Sequence, residues 1–201
     1  MTSGKRLAVA IGIAMLTAFG SLSAAQAQYA PRPYYPPPPP PPRGMYRSGL
    51  VIGGSLGAGA ISAVNCDFYC GGAGMFEGHL GGMLNPRLAL MGEIWASAHP
   101  WDNGYGTGTT YHGIYTIAAQ YWATDILWLK GGAGFGQMQL GYDGGGATTD
   151  ESGFAIMGAG GIEVLQSYNF ALDIQLRFGH GFYTQGGDVN NFGVLVGVNW
   201  Y

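Results

Sequence analysis

Charge is scarce in this chain. Its 201 residues include 8 basic and 11 acidic side chains, 9% of the total, where a soluble surface calls for about 25–35%. So little charge excludes a disordered acidic or basic tail. A formal net charge of −3 excludes the basic surface that nucleic acid requires. Long apolar runs are missing as well. From Ser48 onward nothing approaches 18 consecutive apolar residues, so helical membrane spans are excluded from that region. Neither G-x-G-x-x-G nor G-x-x-x-x-G-K occurs, which removes the phosphate-cradling loops of nucleotide enzymes. Glycine, by contrast, is abundant at 38 residues, without the every-third-residue period of collagen.

The first 27 residues have the build of an export leader. Lys5 and Arg6 precede an apolar stretch from Leu7 to Phe19, and Ala25-Gln26-Ala27 offers the small residues of a cleavage site before Gln28. The apolar stretch is too short to span a bilayer. Residues 28–47 carry nine of the 11 prolines, seven of them in the unbroken run Pro36 to Pro42. Such a run forms a stiff polyproline rod of about 22 Å that cannot join a sheet, for want of N–H donors. It reads as a solvated spacer, with Arg32, Arg43 and Arg47 around it; a ligand for a periplasmic partner is the other reading.

Residues 48–201 read as eight strands with period-two hydrophobicity, near 48–59, 73–84, 87–97, 111–122, 126–139, 153–165, 169–183 and 190–201. Along the seventh, Phe170, Leu172, Ile174, Leu176, Phe178, His180 and Phe182 share one face, and Asp173, Gln175 and Arg177 share the other. Short connections at 85–86, 123–125 and 166–168 alternate with longer ones at 60–72, 98–110, 140–152 and 184–189. Short turns at one rim and longer loops at the other are the layout of an outer-membrane barrel. The predicted fold is all-β, an eight-stranded antiparallel up-and-down transmembrane β-barrel, with both termini on the short-turn, periplasmic side.

The charges sort accordingly. Asp67, Asp102, Asp143, Asp150, Glu151 and Asp188 fall in the predicted long loops, Asp125 in a short turn and Arg87 beside another. Glu77, Glu93, Lys130, Glu163, Asp173 and Arg177 fall within strands, opposite the apolar face. A charge facing lipid at mid-bilayer costs about 2–4 kcal/mol, so the charged face must be the lumen. A soluble barrel with an apolar cavity would need the reverse, and six strand charges cannot solubilise its exterior. Mid-strand glycine pairs, such as Gly131-Gly132 and Gly160-Gly161, suit the tight curvature of a narrow barrel. Aromatics near predicted strand ends, namely Tyr111, Tyr121, Trp122, Trp128, Phe154, Phe170, Phe182, Phe192 and Trp200, are expected to form interfacial girdles.

The segments Trp128 to Gly136, Gly160 to Val164 and Phe170 to Phe178 resemble the small outer-membrane β-barrel domain family, the OmpA-like, OmpX-like and OmpW-like eight-stranded barrels. The resemblance covers residues 48–201. It implies folding by the barrel-assembly machinery, guided by a C-terminal strand that ends in an outward aromatic. Here Trp200 continues the outward series and Tyr201 is one residue off. Either Trp200 is the recognised aromatic or the last strand is bulged. Nothing in the chain resembles the peptidoglycan-binding domain that some members carry after the barrel.

Setting residue 140 against 153 places Lys130 opposite Glu163, and setting 84 against 88 places His79 opposite Glu93 and Glu77 opposite Trp95. The expected luminal network therefore has two groups. One is Lys130 with Glu163 and Asp173; the other, higher in the barrel, is Glu77, His79, Glu93 and Arg177. Eight strands leave room for little more than side chains, so the network is expected to plug the lumen; a gate or narrow ion path is the alternative. Cys66 and Cys70, in the first long loop of an exported protein, are expected to form a disulfide. A zinc site would need two further ligands there. His180, His99, Ser97 and His112 lie near the outer rim, but no nucleophile, base and carboxylate combine into a relay.

The sequence thus predicts an outer-membrane protein of a Gram-negative bacterium, with no cofactor, metal or catalytic residue. Its partners are membrane lipid, lipopolysaccharide and the assembly machinery, and it is expected to be monomeric. The leading role is structural or surface interaction. A narrow channel or a transporter of small apolar solutes comes second, and a lipid-modifying enzyme third.

Overall fold

The computed structural model describes residues 47–63, 70–143, 149–184 and 187–201. Eight strands follow in chain order: β1 (Leu50–Ala63), β2 (Gly71–Asn85), β3 (Leu88–Asp102), β4 (Thr107–Trp122), β5 (Leu127–Tyr142), β6 (Thr149–Gln166), β7 (Phe170–Phe182) and β8 (Val189–Trp200). Each pairs antiparallel with its sequence neighbours, and β8 pairs back onto β1, closing the barrel. Closure satisfies every strand edge internally, which a sheet in lipid requires.

Alternation determines which side chain faces which way. Glu77, Glu93, Lys130, Glu163, Asp173 and Arg177 are all inside, at 0–6% exposure. Their neighbours Phe76, Ile94, Leu129, Ile162, Ile174 and Leu176 face out. The apolar exterior and charged interior are those of a membrane barrel.

The strands run further toward the long-loop rim than hydrophobicity alone indicates. The connection expected at 98–110 shrinks to residues 103–106, because β3 and β4 stay paired as far as Asp102 opposite Thr107. Asp102 and Asn103 build the tight turn with their side chains. Asp102 Oδ1 accepts from the Gly104 N–H, and Asn103 Oδ1 accepts from those of Tyr105 and Gly106; Gly104 takes φ 78°, which its missing Cβ permits. Asp150 and Glu151 likewise fall within β6 rather than in a loop. They sit at the same rim as predicted, but on a ladder.

Two register shifts occur, one at Met83/Asn85 and one at Glu163/Leu165. The second puts Val164 and Leu165 both on the outer surface while Glu163 faces in. No shift occurs in β8, which pairs regularly with β1 and β7. Trp200 therefore faces out and Tyr201 turns in, so the bulge expected as one alternative for the last strand is absent.

The aromatic girdle needs a correction. Phe170 packs edge-on against Trp200 at the short-turn rim, and Phe154 stacks on Phe182 at the other. Trp122 and Trp128, assigned to that girdle, instead point into the lumen and are fully buried.

Candidate functional site

The lumen is crossed by three tiers of polar side chains. Mid-barrel holds the ionic tier, drawn from β2, β3, β5 and β7. The Lys130 ammonium lies 2.9 Å from Glu93 Oε2 and 3.7 Å from Glu77 Oε1. The Arg177 guanidinium contacts Glu93 directly and stands 3.8 Å from Glu77 Oε1. Glu77 also accepts from Ser55 Oγ at 2.9 Å and hydrogen-bonds His79 Nδ1 at 2.6 Å. Two carboxylates thus face two basic side chains, the balance that a buried charge cluster requires. Arg177 Cζ lies 5.2 Å from the centre of the Trp95 ring, and Lys130 Nζ 5.4 Å from that of Trp128, adding cation–π attraction.

These large side chains fit because glycine lies against them, on the paired strand for Trp128 and across the lumen for Trp95. A Cβ at Gly179 would come within 2.6 Å of the Trp95 ring, and one at Gly161 within 2.4 Å of Trp128. The glycine excess of the sequence gives the indoles room to lie flat.

The register corrects one expected group. β5 and β6 pair with Leu140 opposite Thr149, so Lys130 faces Ala159 instead of Glu163. The ladder has moved by four residues because β6 starts earlier. An even shift leaves every side chain on its own face but changes its partner. Lys130 consequently joins Glu77 and Glu93. Asp173, expected beside it, accepts hydrogen bonds from Asn199 Nδ2 at 2.8 Å and Gln175 Nε2 at 3.3 Å. The pairing of β2 with β3 sets His79 against Glu93 and Glu77 against Trp95.

Glu163 belongs to a second tier, at the short-turn mouth. Its carboxylate accepts from Trp122 Nε1, Tyr201 Oη and Gln166 Nε2, at 2.8, 2.9 and 2.5 Å. It also receives the guanidinium of Arg47, which the sequence assigned to the spacer; Arg47 is buried in the mouth by these contacts. Local alternation does not mark Arg47 and Tyr201 as luminal, since they lie just outside β1 and β8 and meet only where the barrel closes; Trp122, expected in the girdle, joins them.

The third tier lies toward the long-loop rim and is neutral. Asn191 Nδ2 of β8 donates across the lumen to Ser97 Oγ of β3 at 2.7 Å, and Ser97 donates to the main-chain oxygen of His112. His112 Nε2 and the Tyr183 hydroxyl share a 2.6 Å hydrogen bond. Burial, reinforced by the charge of Glu151, pushes the Tyr183 hydroxyl above its usual range. Ser97 thus engages the backbone of His112 rather than its ring. His180 bonds Asn190 and faces Asp188 beyond the lumen wall.

Among the described residues, Glu77, His79 and Glu93 could bring ligand atoms within 4.8 Å of one another around a metal ion. Lys130 and Arg177 already occupy those carboxylates, so a divalent cation would have to displace them. Cys66 lies outside the described residues.

A closed eight-stranded barrel with an apolar exterior and a charged lumen has the architecture of the small outer-membrane β-barrel proteins. Its fold is similar to that of Neisserial surface protein A, with a TM-score of 0.59 and 15% identity over 76% of this chain and 97% of that one. It is similar also to Ail, the attachment invasion locus protein of Yersinia pestis, solved with the heparin analogue sucrose octasulfate. There the TM-score is 0.55 and the identity 14%, over 76% of this chain and 99% of that one. No protein-family model and no curated protein matches the sequence. At such identities the likeness is one of fold.

Proposed function

We propose that the barrel is a surface-displayed outer-membrane protein whose lumen is a structural plug and whose interactions are made at its long-loop rim. The observation that carries this reading is the ionic tier. Lys130 and Arg177 bind Glu77 and Glu93 across the interior, all four side chains being at most 2% exposed. An ion entering would have to break pairs that have no water to replace them. The neutral tier above and the Arg47 tier below close the same path twice more.

The long-loop rim carries Asp102, Asp143, Asp150, Glu151 and Asp188, with no Lys or Arg among its described residues. Such a rim repels polyanions, so the sulfated sugar analogue held by Ail is a poor guide to its partner. A cationic surface, or lipopolysaccharide bridged by divalent cations, fits better. In this reading residues 1–27 direct export, residues 28–46 form a periplasmic spacer, and Cys66–Cys70 staple the first long loop. The barrel-assembly machinery reads Trp200 as the outward aromatic, and the barrel works as a monomer without catalysis.

Planar-bilayer recording tests the plug. The wild-type barrel is expected to give no steady single-channel steps. Steady steps in the wild type that change on Lys130→Ala would establish the transport reading instead.

A further inference from the structure

We infer that the short-turn mouth of the barrel is a preformed guanidinium socket, occupied in cis by Arg47. The inference is independent of the plug reading, since it concerns a site that holds a ligand whether or not the lumen conducts. Arg47 Nη2 donates to Glu163 Oε2 at 2.5 Å and to the main-chain oxygen of Asp125 at 2.7 Å. Its Cζ lies 4.8 Å from the centre of the Trp122 ring and 5.6 Å from that of Tyr201. A carboxylate, a carbonyl and two aromatic rings are the complement of a planar, weakly hydrated cation, and they suit an arginine better than a lysine.

The receptor does not depend on its guest. Glu163 is held by Trp122, Gln166 and Tyr201, and Gln166 Nε2 also donates to the Asp125 oxygen at 2.6 Å. The walls come from the end of β4, the β4–β5 turn, the bulged end of β6 and the residue after β8. Arg47 alone comes from outside that frame, three residues before β1 begins. Withdrawing it would leave a buried carboxylate between two rings, with its position already fixed by three donors. The ligand class is therefore an alkylguanidinium: the Arg47 side chain in the resting chain, or an equivalent group once Arg47 is removed.

Chemical rescue tests this on the full chain folded in lipid. Arg47→Ala is expected to lower the unfolding temperature by about 5 °C. Methylguanidinium should restore most of that loss saturably, with a dissociation constant on the order of 10 mM. The same titration should leave the wild type, whose socket is filled, and Arg47→Ala/Glu163→Gln unresponsive, and methylammonium should restore far less. Equal effects of the two cations, or an equal response in the wild type, would overturn the proposal. If Arg47→Ala does not fold, nuclear magnetic resonance on the unmutated protein decides. Ring-current-shifted Arg47 side-chain signals with cross-peaks to the Trp122 indole support the socket, and their absence refutes it.

Discussion

Between the level of Glu77 and the level of Ser97 the lumen changes from charged to neutral. In the lower part, four charged side chains from four strands bind one another. In the upper part, Ser97, His112, Tyr183 and Asn191 span the same width with uncharged hydrogen bonds. Both tiers fill space, but they respond differently to damage. Removing one ion leaves its partner buried and uncompensated, whereas removing one neutral partner leaves an uncharged group unsatisfied, at a smaller cost.

The sharpest way to break this contrast is Arg177→Ala, which strips Glu93 of one of its two cations. A loss of about 3–5 kcal/mol in reversible urea unfolding from lipid vesicles is expected. A loss no larger than that of a neutral-tier variant would show the two halves to be equivalent. Next comes a double-mutant cycle on Lys130→Met and Glu93→Gln, whose side chains are 2.9 Å apart. Because the pair is buried, a coupling of about 1.5 kcal/mol or more is expected. Additive losses would mean that each charge is satisfied elsewhere. In the neutral tier, Asn191→Ala removes the bond to Ser97 and should cost about 1–2 kcal/mol in the same unfolding experiment.

The two halves were also unequally legible in the sequence. The charged residues are assigned to the interior by alternation alone, because Glu77, Lys130 and Arg177 each lie on the face opposite an outward apolar series and lipid would reject them. Face follows parity, and parity survives any even error in register. Partners do not survive it. Alternation alone sets Lys130 against Glu163, because it fades four residues short of the start of β6, where hydrogen bonding continues through Asp150 and Glu151. The Arg47 tier was hidden for a different reason. It joins residue 47 to residues 122, 163 and 201, and a contact made only when a barrel closes has no local pattern. Trp122 and Trp128 misled because an aromatic at a strand end suits an interfacial girdle and a lumen floor equally. Parity alone would have separated them from Tyr121 and Leu129.

The smallest effect tests the neutral tier at its outer edge. Tyr183→Phe removes the hydroxyl that bonds His112 Nε2 and should cost about 1 kcal/mol at neutral pH. Alkali adds a sign that separates this bond from simple packing. Burial raises the folded-state pKa of Tyr183 above its usual value, whereas in the unfolded chain it titrates near about 10. Its contribution is therefore complete below about pH 10 and is lost as the pH rises further, because only the unfolded chain then releases the proton. The gap between the wild type and Tyr183→Phe should shrink by about 1 kcal/mol between pH 10 and pH 11, leaving the two nearly equal in stability. A gap that stays constant across that range would mean that the hydroxyl is solvated in the folded barrel, and that the neutral tier is open to water from the long-loop side.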